Sequence, residues 1–73
     1  MRFSRHAKNR MRGARIGQEA VESIAAAPES RAVDSDGNPI LIGTDDDGRL
    51  LEVVIALDDP PFVITVIPRR KRR

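Results

Sequence analysis

Apolar positions recur along this chain in two rhythms, and the change between them marks the fold. From Arg5 to Ala27 they return three and four residues apart; from Arg31 onward they alternate or run together. Ala7 and Met11 make one helical pair and Ala14 follows on the same side, a thin apolar stripe on a helix over Arg5–Gly13. Ser4 is its expected N-cap, because a serine hydroxyl can accept a bond from an orphan N–H of the first turn. Gly13 is its expected stop. A second helix opens at Ile16-Gly17, with Gly17 as N-cap, Glu19 facing the positive end of the dipole, and Ile16 stapled onto Val21. Its buried stripe is Ala20, Val21, Ile24, Ala25 and Ala27. Pro28 ends it by forcing the preceding residue out of the helical region.

The second half reads as strands. Arg31-Ala32-Val33 and Ile40-Leu41-Ile42 flank the turn Asp36-Gly37-Asn38-Pro39. Thr44 to Gly48 is the next turn, with Asp47-Gly48 at its tip. The strongest signal is Arg49–Ile67, two β-branched runs joined by Asp58-Asp59-Pro60-Pro61. Both prolines are expected in that connection, where a missing N–H does no harm. In the first run Leu51, Val53, Ile55 and Leu57 oppose Leu50, Glu52, Val54 and Ala56; in the second Phe62, Ile64 and Val66 oppose Val63, Thr65 and Ile67. Neither side is polar, so both ask for cover. Residues 1–3 are a candidate edge strand. The predicted fold class is α+β: two N-terminal helices on one face of a four-stranded antiparallel meander. One domain spans residues 1–68, and a basic tail spans 69–73.

Composition narrows the chemistry. A chain of 73 residues has room for one small core. It has no cysteine, which excludes disulfides and thiolate–metal sites, and its single histidine argues against a protein-only zinc site. No apolar run approaches the roughly 20 residues of a membrane span, and a cytoplasmic protein without a membrane partner is expected. The net charge of +2 hides a segregation. Arg2, Arg5, Lys8, Arg10, Arg12 and Arg15 crowd the first fifteen residues, and Arg69, Arg70, Lys71, Arg72 and Arg73 close the chain. Between them eleven acids face only Arg31 and Arg49. Basic ends around an acidic middle suggest a polyanionic partner such as nucleic acid.

The candidate constellation is His6, Arg10 and Arg12 with Arg69 and Arg70, whose meeting the sequence leaves open. It fits RNA cleavage without a metal. The 2′-hydroxyl attacks the adjacent phosphorus, a base takes its proton, an acid protonates the leaving 5′-oxygen, and cations stabilise the phosphorane. Imidazole as a residue type titrates near neutral pH and serves either proton step. Guanidinium presents a fixed fork to phosphate and stays charged. Arg31 reads first as a strand-edge charge that discourages aggregation and second as a phosphate contact. Asp45-Asp46-Asp47 lacks the spaced ligands and distal glutamate of a calcium loop and reads as a solvated turn. No triad and no glycine-rich phosphate loop is present, so no metal and no cofactor is expected. Two further readings remain: a non-catalytic nucleic-acid-binding module, against which the scarcity of aromatics counts, and a protein-interaction domain.

Phe3-Ser4-Arg5-His6-Ala7, with Arg10-Met11, Arg15-Ile16 and the helix carrying Glu19, Val21 and Ile24, resembles the opening of small domains in the RelE/ParE-like toxin superfamily. The nearest likeness is to the BrnT-like group and related small domains of unknown function, which open with a His-Ala-x-x-Arg helix. Asp47-Gly48-Arg49-Leu50-Leu51-Glu52-Val53-Val54 and Val63-Ile64-Thr65-Val66-Ile67 are similar to that group's last two strands. The resemblance implies the toxin of a type II toxin–antitoxin pair: a small endoribonuclease that cleaves mRNA, free or ribosome-bound, halts translation, and is neutralised by a cognate antitoxin. His6 and Arg10 match the first-helix motif. Arg69 roughly matches the basic residue closing the last strand, although Thr65-Val66-Ile67-Pro68 intervenes where that group has a shorter Ser-x-Arg ending. The expected catalytic residues are therefore His6, Arg10 and Arg69, and the expected RNA-binding residues Arg5, Arg12, Arg15, Arg31, Arg70 and Lys71. An antitoxin segment or a second copy in a homodimer would cover the apolar sheet face.

Overall fold

The computed structural model describes residues 1–69. Helix α1 spans Arg5–Ala14 and starts as its sequence predicts, with Ser4 extended and its hydroxyl accepting the Ala7 N–H at 2.9 Å. It ends later than expected. Gly13 stays helical, and Arg15 takes the left-handed conformation at φ 57° and ψ 50°. The Arg15 N–H donates to the Arg12 carbonyl at 3.3 Å and the Ile16 N–H to that of Met11 at 2.8 Å. These two bonds are a Schellman ending, with an arginine where glycine is usual. Helix α2 spans Gln18–Ala26 behind the N-cap Gly17. Val21 and Ile24 are its buried residues, whereas Ala27, assigned to its stripe from sequence, is exposed.

Among the described residues five strands form one sheet: β1 (Arg2–Phe3), β2 (Ser30–Val33), β3 (Pro39–Thr44), β4 (Leu50–Ala56) and β5 (Asp59–Arg69), in the order β1-β5-β4-β3-β2. Strands β2 to β5 pair antiparallel in sequence order. β1 lies parallel to β5, with Arg2 opposite Phe62 and Phe3 opposite Val63. The fold is thus α+β with a mixed sheet, the short N-terminal strand adding the parallel pairing.

Two hairpin turns have one geometry because they share one chemistry. In Asp34–Asn38 and in Asp45–Arg49 the leading aspartate accepts backbone N–H bonds from the residues two and four ahead. The glycine at the fourth position carries a positive φ, 87° at Gly37 and 81° at Gly48. Only glycine adopts that region without strain, and the aspartate side chain closes the turn as a local acceptor. The Asn38 Oδ1 also accepts from the Leu57 N–H at 3.1 Å, tying this turn to the one between β4 and β5.

The third hairpin departs from expectation. Its turn is Leu57-Asp58, and Pro60 and Pro61 lie inside β5. The register explains how. Val63 faces Ile55 and Asp59 faces Ala56, so Pro60 to Phe62 have no counterpart on β4. Proline is tolerated in a strand at such a bulge, where no ladder bond is lost. A second irregularity leaves Ile64 unpaired between Val63 and Thr65. Strict alternation would place Val63 and Val66 on opposite faces; the extra residue puts both into the core. Ser4 exploits this bulge. Its N–H donates to the Val63 carbonyl at 2.9 Å and its hydroxyl to that of Ile64 at 2.5 Å, fixing the start of α1 to β5.

Both helices cover one face. Phe3, Ala7, Met11, Ile16, Val21 and Ile24 pack on Leu51, Val53, Ile55, Val63 and Val66. Each large side chain so buried contributes roughly 1.5–3 kcal/mol. α2 sits close on β3 because position 43 is glycine: a Cβ there would lie 2.9 Å from Ile24 Cγ1. The opposite face carries Ile40, Ile42, Leu50 and Ile67, all only partly buried, crossed by Glu52 and Arg69. Leu57, grouped from sequence with Leu51, Val53 and Ile55 on one side of the strand, is 56% exposed in its turn.

Candidate functional site

One helical face of α1 carries His6, Asn9, Arg10 and Gly13, spaced three and four apart. With Ala14 and Pro68 they line an open groove of about 340 Å³. α1 supplies one side and the end of β5 the other. Ser4 sets the rotation of the helix and the β4–β5 register sets the height of Pro68, opposite Leu51. His6 and Arg10 are exposed. Neither makes a hydrogen bond or ion pair to another side chain among the described residues. α1 has no acidic residue at all, so an anion entering the groove meets cations and an imidazole without a competing carboxylate.

Residues 3–68 match a family model described as Domain of unknown function (DUF4258). The chain belongs to this family. No curated protein and no solved structure matches it. The matched span includes every residue that lines the DUF4258 groove, and Arg69 falls just outside it.

Arg69 does not join His6 and Arg10. Its guanidinium donates to both carboxylate oxygens of Glu52, Nε to Oε2 at 2.9 Å and Nη2 to Oε1 at 3.2 Å. Strand alternation is the reason. Pro68 faces the helices, so its neighbour Arg69 points to the opposite face, where Glu52 also lies. Hydrogen bonding to Glu52 and its negative charge raise the Arg69 pKa further above its ordinary value. The meeting of the two basic ends, which the sequence left open, does not include Arg69: Pro68 lines the groove and Arg69 binds Glu52. Arg70 and Lys71 lie outside the described residues.

Among the described residues, the other cations expected to bind RNA lie outside the lining of the groove. Arg5 is exposed at the start of α1. Arg12 lines a separate shallow depression with Lys8, Phe3, Met11, Ile16 and Gln18. Arg15 borders a third, beside Asp45, Asp46, Asp47 and Glu19. Arg31 sits on the far edge of the sheet, near Met1, Pro39 and Pro60. Asn9, Gly13, Ala14 and Pro68 were not singled out from sequence. Projecting α1 as a helix would have placed Asn9 and Gly13 beside His6 and Arg10; Pro68 depends on long-range register and had no local signal.

The triple aspartate is structured in one member. The Asp45 side chain is only 5% exposed. Burial alone would raise its pKa, but the Arg49 N–H, the Arg49 guanidinium and the Asp47 N–H outweigh burial and hold it below the ordinary carboxylate value. Asp46 and Asp47 are exposed, as a solvated turn requires. No helix among the described residues is long and apolar enough to cross a membrane.

Proposed function

We propose that this chain is the toxin of a type II toxin–antitoxin pair, a cytoplasmic, metal-independent endoribonuclease that halts translation by cutting mRNA. The observation that carries the reading is the shared groove of His6 and Arg10 on an acid-free helix. The four antiparallel strands with two helices on one face are read as a RelE-like arrangement to which β1 is added, and a cognate antitoxin is the expected protein partner. In the groove Arg10 holds a phosphodiester through its planar fork. His6 withdraws the proton of the neighbouring 2′-hydroxyl, the O2′–P bond forms, and the P–O5′ bond breaks as solvent protonates the departing 5′-oxygen. The products are a 2′,3′-cyclic phosphate and a 5′-hydroxyl. Arg10 stabilises the charge that gathers on the phosphorane oxygens. Arg69, bound to Glu52 on the other face, has no part in these steps.

The test is incubation of the purified chain with single-stranded RNA in excess chelator. Fragments ending in 2′,3′-cyclic phosphate are expected, and RNA that stays intact overturns cleavage. A second reading draws on the cations of α1, which form no ion pair among the described residues: the chain binds RNA without cutting it. In that case binding falls steeply as salt rises and the RNA is recovered whole.

A further inference from the structure

Four of the five glycines have an account in the fold. Gly37 and Gly48 supply positive φ, Gly43 admits Ile24, and Gly17 is the N-cap of α2. Gly13 has none. It lies inside α1, its φ is not in the left-handed region, and a Cβ built on it would meet nothing within 4 Å. A glycine within a helix is less favourable than alanine, because it gives up more backbone freedom on folding. Two residues later, where a left-handed residue is needed and glycine would be favoured, the chain has Arg15. Folding would prefer the opposite choices. What the missing side chain does leave open is the groove that Gly13 lines.

That groove has two ends of different chemistry. His6, Asn9 and Arg10 make a polar end; Gly13, Ala14 and Pro68 make an end with no hydrogen-bonding side chain. The two follow one another along α1, about 5 Å per helical turn. A bare backbone floor beside a proline ring suits a flat ring lying against it, while guanidinium and imidazole suit a phosphate. A volume of about 340 Å³ has room for one nucleotide. We infer that Gly13, Ala14 and Pro68 form a slot for the ribose and base of the nucleotide whose phosphate Arg10 holds. The inference rests on the RNA reading for its ligand, though not on cleavage. On this assignment a methyl group at position 13, which meets nothing within 4 Å in the free chain, takes up room that the ring would use.

The experiment compares the parent with Gly13→Ala in three measurements: thermal unfolding, cleavage of a single-stranded RNA, and titration of a 3′-nucleoside monophosphate followed by backbone amide NMR. In the parent the nucleotide should shift the amides of Gly13 and Ala14, whereas inorganic phosphate shifts only those near His6 and Arg10. Gly13→Ala should melt higher than the parent, lose most of the nucleotide-specific shifts, and cut RNA slower by roughly tenfold or more. Nucleotide shifts that spare Gly13 and Ala14, unchanged nucleotide binding by Gly13→Ala, or a lower melting temperature for that variant would each overturn the slot. A parent that binds nucleotide in the slot but leaves RNA whole sinks the nuclease reading alone. A parent and variant that cut RNA equally fast sink the slot and keep the nuclease.

Discussion

The guanidinium of Arg49 closes the C-terminal end of α1 by donating from Nη1 to the Ala14 carbonyl oxygen at 2.6 Å. Its Nη2 reaches the Arg15 carbonyl at 3.2 Å and its Nε the Asp45 carboxylate at 2.8 Å. One side chain thus ties the β3–β4 turn to the helix–helix junction and faces the negative pole of the helix dipole. Arg49→Ala leaves two carbonyls and a covered carboxylate without this donor, and should lower stability by about 2 kcal/mol. Arg49→Lys keeps the charge but loses the fork, and should recover only part of that loss. Thermal unfolding of the three proteins measures both effects. Equal melting temperatures for the parent and Arg49→Ala would remove the clamp.

The same turn gives stability a pH dependence of known sign. Asp45 is held below its ordinary pKa in the folded chain, so its contribution is complete above the unfolded value of about 3.9 and is lost as pH falls through the folded value. Asp34, whose backbone bond from Asn38 is the largest cause of its lowered pKa, acts in the same direction. The parent should therefore lose more melting temperature than Asp45→Asn between about pH 6 and pH 2. Curves for the two proteins that stay parallel through that range would show that Asp45 carries no such linkage.

The groove divides the arginines into two classes that a mutant series can separate. His6→Ala and Arg10→Ala remove exposed side chains, so both proteins should fold as the parent does. Each should slow RNA cleavage, by roughly 10²–10⁴ for the proton-transfer group, and relieve growth arrest on expression in a bacterial host. Arg69→Ala loses only an exposed ion pair with Glu52, worth at most about 1 kcal/mol, and should cleave at close to the parent rate. If Arg69→Ala is as defective as Arg10→Ala, the guanidinium leaves Glu52 to act in the groove.

Local chemistry made some of this legible from sequence, and long-range register hid the rest. Ser4 was readable as a cap because its hydroxyl serves an N–H only three residues away. Asp36-Gly37 and Asp47-Gly48 were readable as turns because the positive φ belongs to the glycine itself. His6 and Arg10 share a face at four-residue spacing, so two of the six residues that line the groove were visible. Pro60 and Pro61 were misplaced because their tolerance in β5 comes from a bulge opposite Ile55 and Ala56, which local sequence does not announce. Arg69 was assigned to the site by its charge just past the last strand and by the resemblance of that ending; its direction depends on a strand that continues through Pro68.

The end of α1 offers a test of whether the chain is optimised for folding at this junction. Arg15 holds φ 57°, a conformation in which a Cβ crowds the following carbonyl and which is unfavourable by roughly 1–2 kcal/mol for a residue other than glycine. The bonds that fix it there are backbone bonds, from the Arg15 and Ile16 N–H groups and to the Arg15 carbonyl from Arg49, so glycine can make them all. Arg15→Gly removes the crowding but enlarges the freedom of the unfolded chain, leaving a net gain of about 0.5–1 kcal/mol. In a domain of this size that raises the melting temperature by roughly 2–8 °C. The same change deletes a cation beside α1, so RNA affinity should fall modestly and its salt dependence should weaken. Higher stability with weaker RNA binding would mark Arg15 as a residue kept for its charge. A variant that melts lower than the parent would mean that its side chain supports the fold.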